Sequence, residues 1–297
     1  MAEKPTQYYV PESSPWPFIT AAVLCLTAVG AATFVQENSG ASIVSNDGSA
    51  GSIMLPLGIL GIIAMMFFWF RDTIKESLNN QNSEQLDISY RMGMMWFIFS
   101  EVMFFAAFFG ALFYVRILAV PWLGGAGEEA MTHELLWPNF QAMWPLVETP
   151  AGETTQAMGP WGLPFYNTVL LVTSSFTLTW AHHALIKNER GKLIINLILT
   201  LALGFTFLGL QAYEYVHAYN DLGLTLDAGI YGSTFFMLTG FHGMHVTIGA
   251  IMLTIMLIRA IKGHLTPDNH FAFEASAWYW HFVDVVWLFL FVVVYWM

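Results

Sequence analysis

The sequence is poor in charged residues and has a single cysteine, and both shortages limit what the protein can be. Only 10% of its 297 residues are charged, whereas ordinary globular proteins carry about 25%. So few charges cannot cover a water-facing surface of normal size, which excludes an ordinary soluble domain. Cys25 is the only cysteine, which excludes an internal disulfide and any site that needs several thiolates.

Positive charge is scarce as well. Ten Lys and Arg oppose 21 Asp and Glu, for a formal net charge of −11. Because phosphate binding needs clustered Lys and Arg, nucleic acid is excluded as a partner. The sequence has no Walker A, dinucleotide-binding or zinc-protease motif. Its first segment, Met1 to Val10, lacks the basic region of a cleavable signal peptide.

Long apolar runs dominate the remaining sequence. Hydrophobic residues make up 56% and aromatic residues 16% of the chain, and a spanning helix needs about 20 mostly apolar residues. The runs are too long for barrel strands, which alternate with period two. The sequence predicts an all-α polytopic membrane protein with seven transmembrane helices, at Trp16–Val35, Ile53–Phe70, Met92–Val115, Tyr166–Ile186, Leu193–Tyr213, Tyr231–Ile258 and Ala275–Trp296.

Two of these predicted spans have notable ends. The second is short, and Pro56 lies in its first turn, where the missing N–H does no harm. The fifth ends at Glu214 and His217, which are predicted to close it on the outer side. Glycines at 58–61 and 240–243 predict close approach between helices.

The distribution of Lys and Arg predicts the orientation. Nine of the ten, Lys4 among them, precede the first span or lie in the connections after spans 2, 4 and 6, and only Arg116 lies on the opposite side. Because positive charge concentrates inside, the N-terminus is predicted to be cytoplasmic (or in the matrix) and the C-terminus outside. The long connection at residues 119–163, acidic through residues such as Glu128 and Glu129, then lies outside. Its Trp-Pro pairs at Trp137 and Trp144 predict ordered packing against the membrane surface or a partner.

One carboxyl group is predicted to lie near the bilayer midplane. Glu101 is about ten residues into the third span, hence roughly 14 Å deep at 1.5 Å per residue. An isolated carboxylate at that depth is costly, so protonation or a hydrogen-bond partner is expected. His245 in the sixth span is the first candidate partner and His242 the second. A proton relay, a lipid contact and a hydrogen bond between helices all remain open as roles.

Other polar residues pair along single helices. His281 and Asp284 share a face of the seventh span, and His242 and His245 have the same spacing in the sixth. Haem or metal ligation is conceivable for such pairs, but residues three apart bind one ion only with further ligands. We therefore expect no haem or metal in this chain and interpret these residues as helix-tying hydrogen-bond groups. The adjacent pair His182-His183 diverges by about 100°, which favours a polar interface position.

A cationic cluster follows the sixth span. Arg259 and Lys262 precede His264 and His270 in the inner connection. Such a cluster is a candidate site for an anionic lipid head group. The positive-inside bias alone is the competing explanation. From the residues alone, a transporter, a cofactor-binding electron carrier and a non-catalytic subunit all remain possible.

Several motifs together resemble subunit III of the haem–copper cytochrome c oxidases. The buried glutamate lies in Phe97–Phe105, and two histidine-bearing motifs follow in the fourth and sixth spans. The last motif is long and highly specific, and the resemblance covers nearly the whole chain in order. The segments are Ser14–Pro17, Trp69–Asp72, Phe97–Phe105, Thr179–His183, Leu210–Ala212, Thr239–Val246 and Trp278–Leu290.

The resemblance implies a fold and a set of partners. The chain would be one membrane domain, 1–297, in which helices 1–2 (residues 1–91) and helices 3–7 (residues 92–297) form a V-shaped cleft filled by phospholipid. Haem and copper would belong to subunits I and II, which take electrons from cytochrome c, reduce oxygen and pump protons. This chain would support proton uptake into subunit I and its stability.

The resemblance also implies site residues and a location. Its lipid-contact positions correspond to Trp69, Glu101, Arg259, Lys262 and His264. The long acidic outer connection favours a bacterial inner membrane, with the C-terminus periplasmic, over a mitochondrial one. Two alternatives remain: subunit III of a quinol oxidase, and an independent proton-coupled transporter.

Overall fold

The part of the protein that the structure describes is mainly helical. A computed structural model describes residues 13–39, 50–79, 81, 83–127 and 130–297. Lys4, Glu128 and Glu129, on which the predicted charge pattern partly depends, lie outside these residues. The helices are α1 Trp16–Asn38, α2 Ala50–Leu78, α3 Glu84–Tyr114, α4 Val120–Leu123, α5 Ala130–Leu136, α6 Leu163–Ile186, α7 Arg190–Asp221, α8 Ile230–Lys262 and α9 Phe271–Leu290, with π-helical turns at Val115–Ala119 and Phe291–Trp296.

The predicted number of spans is confirmed. Among the described residues, seven helical segments are long and apolar enough to cross a membrane. They are α1, α2, α3 with its continuation through α4, α6, α7, α8, and α9 with its terminal π-helical turn. The chain is therefore a multi-pass membrane protein.

Several helix ends were predicted wrongly. The second span is not short: α2 begins at Ala50, so Pro56 lies in the helix interior instead of the first turn. The third helix begins at Glu84 and not at Met92, and the Ser83 hydroxyl accepts a hydrogen bond from the N–H of Leu86 at 3.2 Å. Hydropathy detects only the apolar part of a helix, whereas backbone hydrogen bonding continues into polar sequence.

The first compact unit comprises residues 1–90. Within it α1 and α2 pack closely, because glycines bring the two backbones together. A Cβ on Gly30 would lie 2.6 Å from the backbone N of Leu55, and one on Gly58 would lie 2.7 Å from the Cα of Thr27. The predicted close approach at Gly58 is thus confirmed, since neither glycine has room for a methyl group.

The second compact unit comprises residues 91–297. Its core lies among α6, α7, α8 and α9, and Trp280 of α9 is fully buried there. The indole fits against two glycines: a Cβ on Gly204 would lie 2.7 Å from its ring, and one on Gly249 2.9 Å. Its Nε1–H donates to the hydroxyl of Ser174 at 2.9 Å. By contrast, the glycines at 240 and 243 have ordinary contacts, so the close approach predicted there is wrong.

The connection between α4 and α6 packs on the chain itself. The indole of Trp144 meets the ring of Tyr231 edge to face at 5.8 Å, and the guanidinium of Arg116 lies 5.9 Å from the indole. The Tyr231 hydroxyl also accepts a hydrogen bond from the N–H of Met158 at 3.2 Å. The connection is ordered, but its packing surface is the C-terminal end of α7 and the N-terminal end of α8 in the same chain, whereas the sequence predicted packing against the membrane surface or a partner.

Candidate functional site

The predicted midplane pair forms in the second unit. Nε2 of His245, in α8, lies 2.8 Å from a carboxyl oxygen of Glu101, in α3. The imidazole is buried, and the carboxyl side chain is 21% exposed. Phe104 and Phe105 pack against the imidazole, with ring centroids 5.6 and 4.9 Å from its own. The pairing with His245 is thus confirmed, and the second candidate, His242, makes other contacts.

The hydrogen bond of the other ring nitrogen of His245 determines how many protons the His245–Glu101 contact holds. Nδ1 lies 2.6 Å from the backbone carbonyl oxygen of Phe241, which can only accept a hydrogen bond. Nδ1 therefore carries a hydrogen, and a neutral imidazole has a lone pair at Nε2. Glu101 and Nε2 then share one proton, as a carboxylic acid donating to imidazole or as an imidazolium donating to carboxylate. His245 therefore cannot act as a neutral imidazole that donates from Nε2 to a carboxylate.

His242 ties α8 to α9. It is fully buried, and its Nε2–H donates to the backbone carbonyl of Val283 at 3.1 Å. Its ring lies 5.0 Å from the indole of Trp287 and 5.8 Å from the ring of Phe207. Although His242 and His245 are three residues apart, their Nε2 atoms thus bind on different sides, to α9 and to α3.

His281 and Asp284 occupy one face of α9, as predicted. Nδ1 of His281 lies 2.6 Å from the hydroxyl of Ser175 in α6, which joins the two helices. The same nitrogen is 3.9 Å from a carboxyl oxygen of Asp284, beyond hydrogen-bond distance. Asp284 is buried, and within the described structure neither of its carboxyl oxygens has a hydrogen-bond partner.

The cationic cluster lies where α8 ends, but its members differ in access. Lys262 is exposed and His264 is partly exposed, after Gly263 ends the helix with a φ of 76°. Arg259 was expected to face a lipid head group, yet it is only 6% exposed and its buried Nε has no hydrogen-bond partner among the described residues. Arg190 at the start of α7 donates to the carbonyl of Ala260 at 3.0 Å, so it stabilises this helix end.

The positive charge of this cluster also affects the pKa of His264. Partial burial, and then the positive charges of Arg259 and Lys262, hold the pKa of His264 below its ordinary value. An anion bound here would favour the protonated imidazole and so oppose that shift. Trp69, predicted to contact lipid, is half exposed and stacks on the neighbouring ring of Phe70.

Glu214 was placed wrongly by the sequence analysis. Instead of closing its helix on the outer side, it is fully buried in α7, which continues to Asp221. Its carboxyl accepts a hydrogen bond from the hydroxyl of Tyr295 at 2.8 Å. His217 does lie near the exposed end, where its Nδ1 is 2.6 Å from a carboxyl oxygen of Asp221.

The sequence analysis missed one cluster altogether. His182 of α6, His270 before α9 and Glu274 in the first turn of α9 come together, and Arg91 of α3 forms an ion pair with Glu274. The four-residue spacing of His270 and Glu274 was a usable signal. The approach of α6 and α3 depends on tertiary packing, which one sequence does not reveal.

The chain is similar to known proteins along its full length. The family model described as cytochrome c oxidase subunit III matches residues 6–297. A relative in Danio rerio named cytochrome c oxidase subunit 3 is 40% identical over 297 residues, which cover 100% of this chain and 99% of the relative. Proteins of the same name in Arabidopsis thaliana and Prototheca wickerhamii are 39% and 38% identical, each over 97% of this chain and 96% of the relative.

Proposed function

Since the chain belongs to the cytochrome c oxidase subunit III family, we propose that it binds phospholipid and supports proton uptake into its catalytic partner. The chain is a non-catalytic subunit of cytochrome c oxidase, which is an oxidoreductase complex. The full-length family match carries that conclusion, and it favours an oxidase subunit over an independent transporter. Haem and copper then reside in subunits I and II, with subunit I as the main contact and cytochrome c as the electron donor.

Exposed apolar side chains support the proposed contacts with lipid and subunits. On α3, Trp96 and Phe99 are 67% and 54% exposed, and on α9 Val285 and Phe289 are 66% and 57% exposed. Exposed rings and aliphatic chains on membrane-spanning helices can contact acyl chains or apolar helices of a neighbouring subunit. Glu101, also on α3, has a side chain that is 21% exposed, so part of its carboxyl group is accessible from outside the chain.

The cationic end of α8 supports lipid binding. Lys262 is exposed and His264 is partly exposed. Arg259 is buried and adds to the positive electrostatic potential of this helix end. Each cation near an anionic membrane surface contributes about 1 kcal/mol. Trp69 and Glu101 complete the proposed set of lipid-contact residues. The lipid-filled cleft between helices 1–2 and helices 3–7 remains a prediction.

The membrane and the orientation are also proposals. The charge bias places the N-terminus and the cationic cluster on the cytoplasmic side and the C-terminus in the periplasm of a bacterial inner membrane. The acidic outer connection supports a bacterial source over a mitochondrial one. Cysteine labelling from each side of intact cells, at exposed positions near Lys262 and near Trp161, tests this orientation.

Lipid binding is tested on the intact oxidase with Lys262→Gln and His264→Gln. The matched control is Lys187→Gln, which removes an exposed cation on the same predicted side. Native mass spectrometry should show less anionic phospholipid retained by the first two variants, and faster inactivation during turnover, while the control behaves like wild type. Equal lipid content and lifetime in all four proteins would contradict the proposal.

The electron donor is tested on the same preparation. Purified with its partners, the complex should show haem absorbance and oxidise reduced cytochrome c. Turnover with a quinol but not with cytochrome c would instead identify the quinol-oxidase alternative. Isolation of this chain alone, with transport activity, would contradict its role as an oxidase subunit.

A further inference from the structure

Two imidazoles face one carboxyl oxygen near the start of α9. Nε2 of His270 lies 3.4 Å from Oε1 of Glu274, and Nε2 of His182 lies 3.7 Å from the same oxygen. One donor atom from each of these residues lies within 4.8 Å of the other two. The three residues come from α6, from the residue preceding α9 and from its first turn, so a ligand here would join two helices.

These distances do not suit direct hydrogen bonding. Good hydrogen bonds between nitrogen and oxygen have separations of about 2.7–3.2 Å. Both contacts to Glu274 are longer, and the buried Nε2 of His182 has no hydrogen-bond partner among the described residues. Bonds of about 2.0–2.1 Å to a tetrahedral metal ion place neighbouring ligand atoms about 3.3–3.4 Å apart. The separations of 3.4 and 3.7 Å therefore lie close to the edge lengths of such a tetrahedron.

The second carboxyl oxygen of Glu274 is already engaged. The guanidinium of Arg91 forms an ion pair with Oε2 and also lies over the ring of Phe271, 5.4 Å from its centroid. This contact fixes the carboxylate and turns Oε1 toward the two histidines. Groups that orient a ligand in this way typically change metal affinity by about 10–100-fold.

From this geometry we propose that His182, His270 and Glu274 bind one zinc ion, with water as the fourth ligand. Two imidazoles and a carboxylate are a known ligand set for zinc with an open position, whereas Mg²⁺ and Ca²⁺ prefer oxygen ligands. The ion would link α6 to the start of α9. This proposal departs from the sequence-based expectation that the chain binds no metal, which considered His242, His245 and His281.

The test uses the intact oxidase in wild-type, His182→Gln, His270→Gln and His183→Gln forms. His183 is the matched control, because it is exposed and adjacent to His182 on the same helix. Each complex is treated with a chelator, equilibrated with buffered Zn²⁺, and analysed for zinc per haem by elemental mass spectrometry. The haem content gives the number of complexes in each sample. Zinc bound at other sites contributes equally to all four forms.

Wild type and His183→Gln should each bind about one more zinc ion per complex than His182→Gln and His270→Gln. Loss of a ligand should weaken binding by at least as much as loss of an orienting group, about 10–100-fold. Equal zinc binding by all four forms would overturn the proposal and leave an ion-pair network only.

A second measurement covers variants that fail to assemble. In zinc-equilibrated wild-type crystals, anomalous scattering at the zinc edge should show a peak bonded to both histidines and Glu274. Absence of that peak, at a zinc concentration that gives peaks elsewhere in the same crystal, would equally overturn the site.

Discussion

The carboxyl of Glu101 and the imidazole of His245 are joined across 2.8 Å between α3 and α8, 144 positions apart in the sequence. Because Nδ1 of His245 donates to the Phe241 carbonyl, a single proton lies between Glu101 and Nε2. The pair thus connects two helices while leaving no unpaired charge at this depth.

Replacing Glu101 distinguishes a hydrogen-bonding role from a catalytic one. Glu101→Gln keeps a donor for Nε2 of His245, so assembly and oxygen reduction should remain nearly at wild-type levels. Glu101→Leu leaves the buried Nε2 without a partner and should cost about 1–3 kcal/mol of stability. Oxygen consumption and the thermal midpoint of the complex are the measurements. Complete loss of turnover in an assembled Glu101→Gln complex would refute the supporting role.

The contact between Gly204 and Trp280 predicts a sharp difference between two glycines of one helix. A methyl group at position 204 would lie 2.7 Å from the buried indole, whereas Gly209 has open space. Gly204→Ala should therefore destabilise the chain by about 1–3 kcal/mol through overpacking. Gly209→Ala should change stability by no more than about 0.5 kcal/mol. Thermal release of this subunit from the detergent-solubilised complex measures both; equal midpoints would contradict the packing described.

The α1–α2 pair should be similarly sensitive at Gly30. A Cβ there meets the backbone of Leu55 at 2.6 Å, and backbone atoms cannot rotate away as a flexible side chain can. Gly30→Ala should force the helices apart and accelerate hydrogen exchange in α1 and α2. Gly93→Ala is the control, since nothing lies within 4 Å of a Cβ at that position. Unchanged exchange in the Gly30 variant would show that the close approach is not required.

The cationic cluster predicts the pH dependence of His264. Burial, followed by the charges of Arg259 and Lys262, lowers its pKa relative to the ordinary value of 6.5. As the pH falls, His264 is therefore protonated in the unfolded chain before it is protonated in the folded chain. The contribution of His264 to stability falls as pH drops through about 6.5 toward the lowered pKa. Lys262→Gln removes one neighbouring charge and should raise the pKa.

Modification by diethyl pyrocarbonate measures this pKa, because only the unprotonated imidazole reacts. The midpoint of the rate-against-pH curve for His264 should lie below 6.5 in the lipid-depleted oxidase. It should move upward in Lys262→Gln and after anionic lipid is added back. Lys187→Gln should leave it unchanged, because Lys187 is not among the groups that shift it. A midpoint insensitive to Lys262 would contradict the electrostatic account.

Pairings between helices were partly accessible from sequence. The depth of Glu101 and His245 was deduced by counting residues from opposite membrane faces, since helix rise is constant. The rotation of each helix, which decided between His245 and His242, depends on packing around rings such as Trp280. The cluster of His182, His270 and Glu274 was missed for the same reason. His182 lies in α6 and the other two residues lie at the start of α9, and the contact between these segments has no sequence signature.

The sequence by itself determined the class of the protein and the number of its spans. Exposing such long apolar runs to water is unfavourable, and their length as helices matches the thickness of a bilayer. It did not determine where helices end, since backbone hydrogen bonding continues past the apolar stretch, as α7 does from Tyr213 to Asp221. Tertiary structure alone decided which polar groups are buried. Local sequence placed Arg259 and Glu214 at helix ends, yet Arg259 is only 6% exposed and Glu214 is fully buried, with a hydrogen bond from Tyr295. Burial depends on which remote segments pack against a residue, and local sequence does not contain that information.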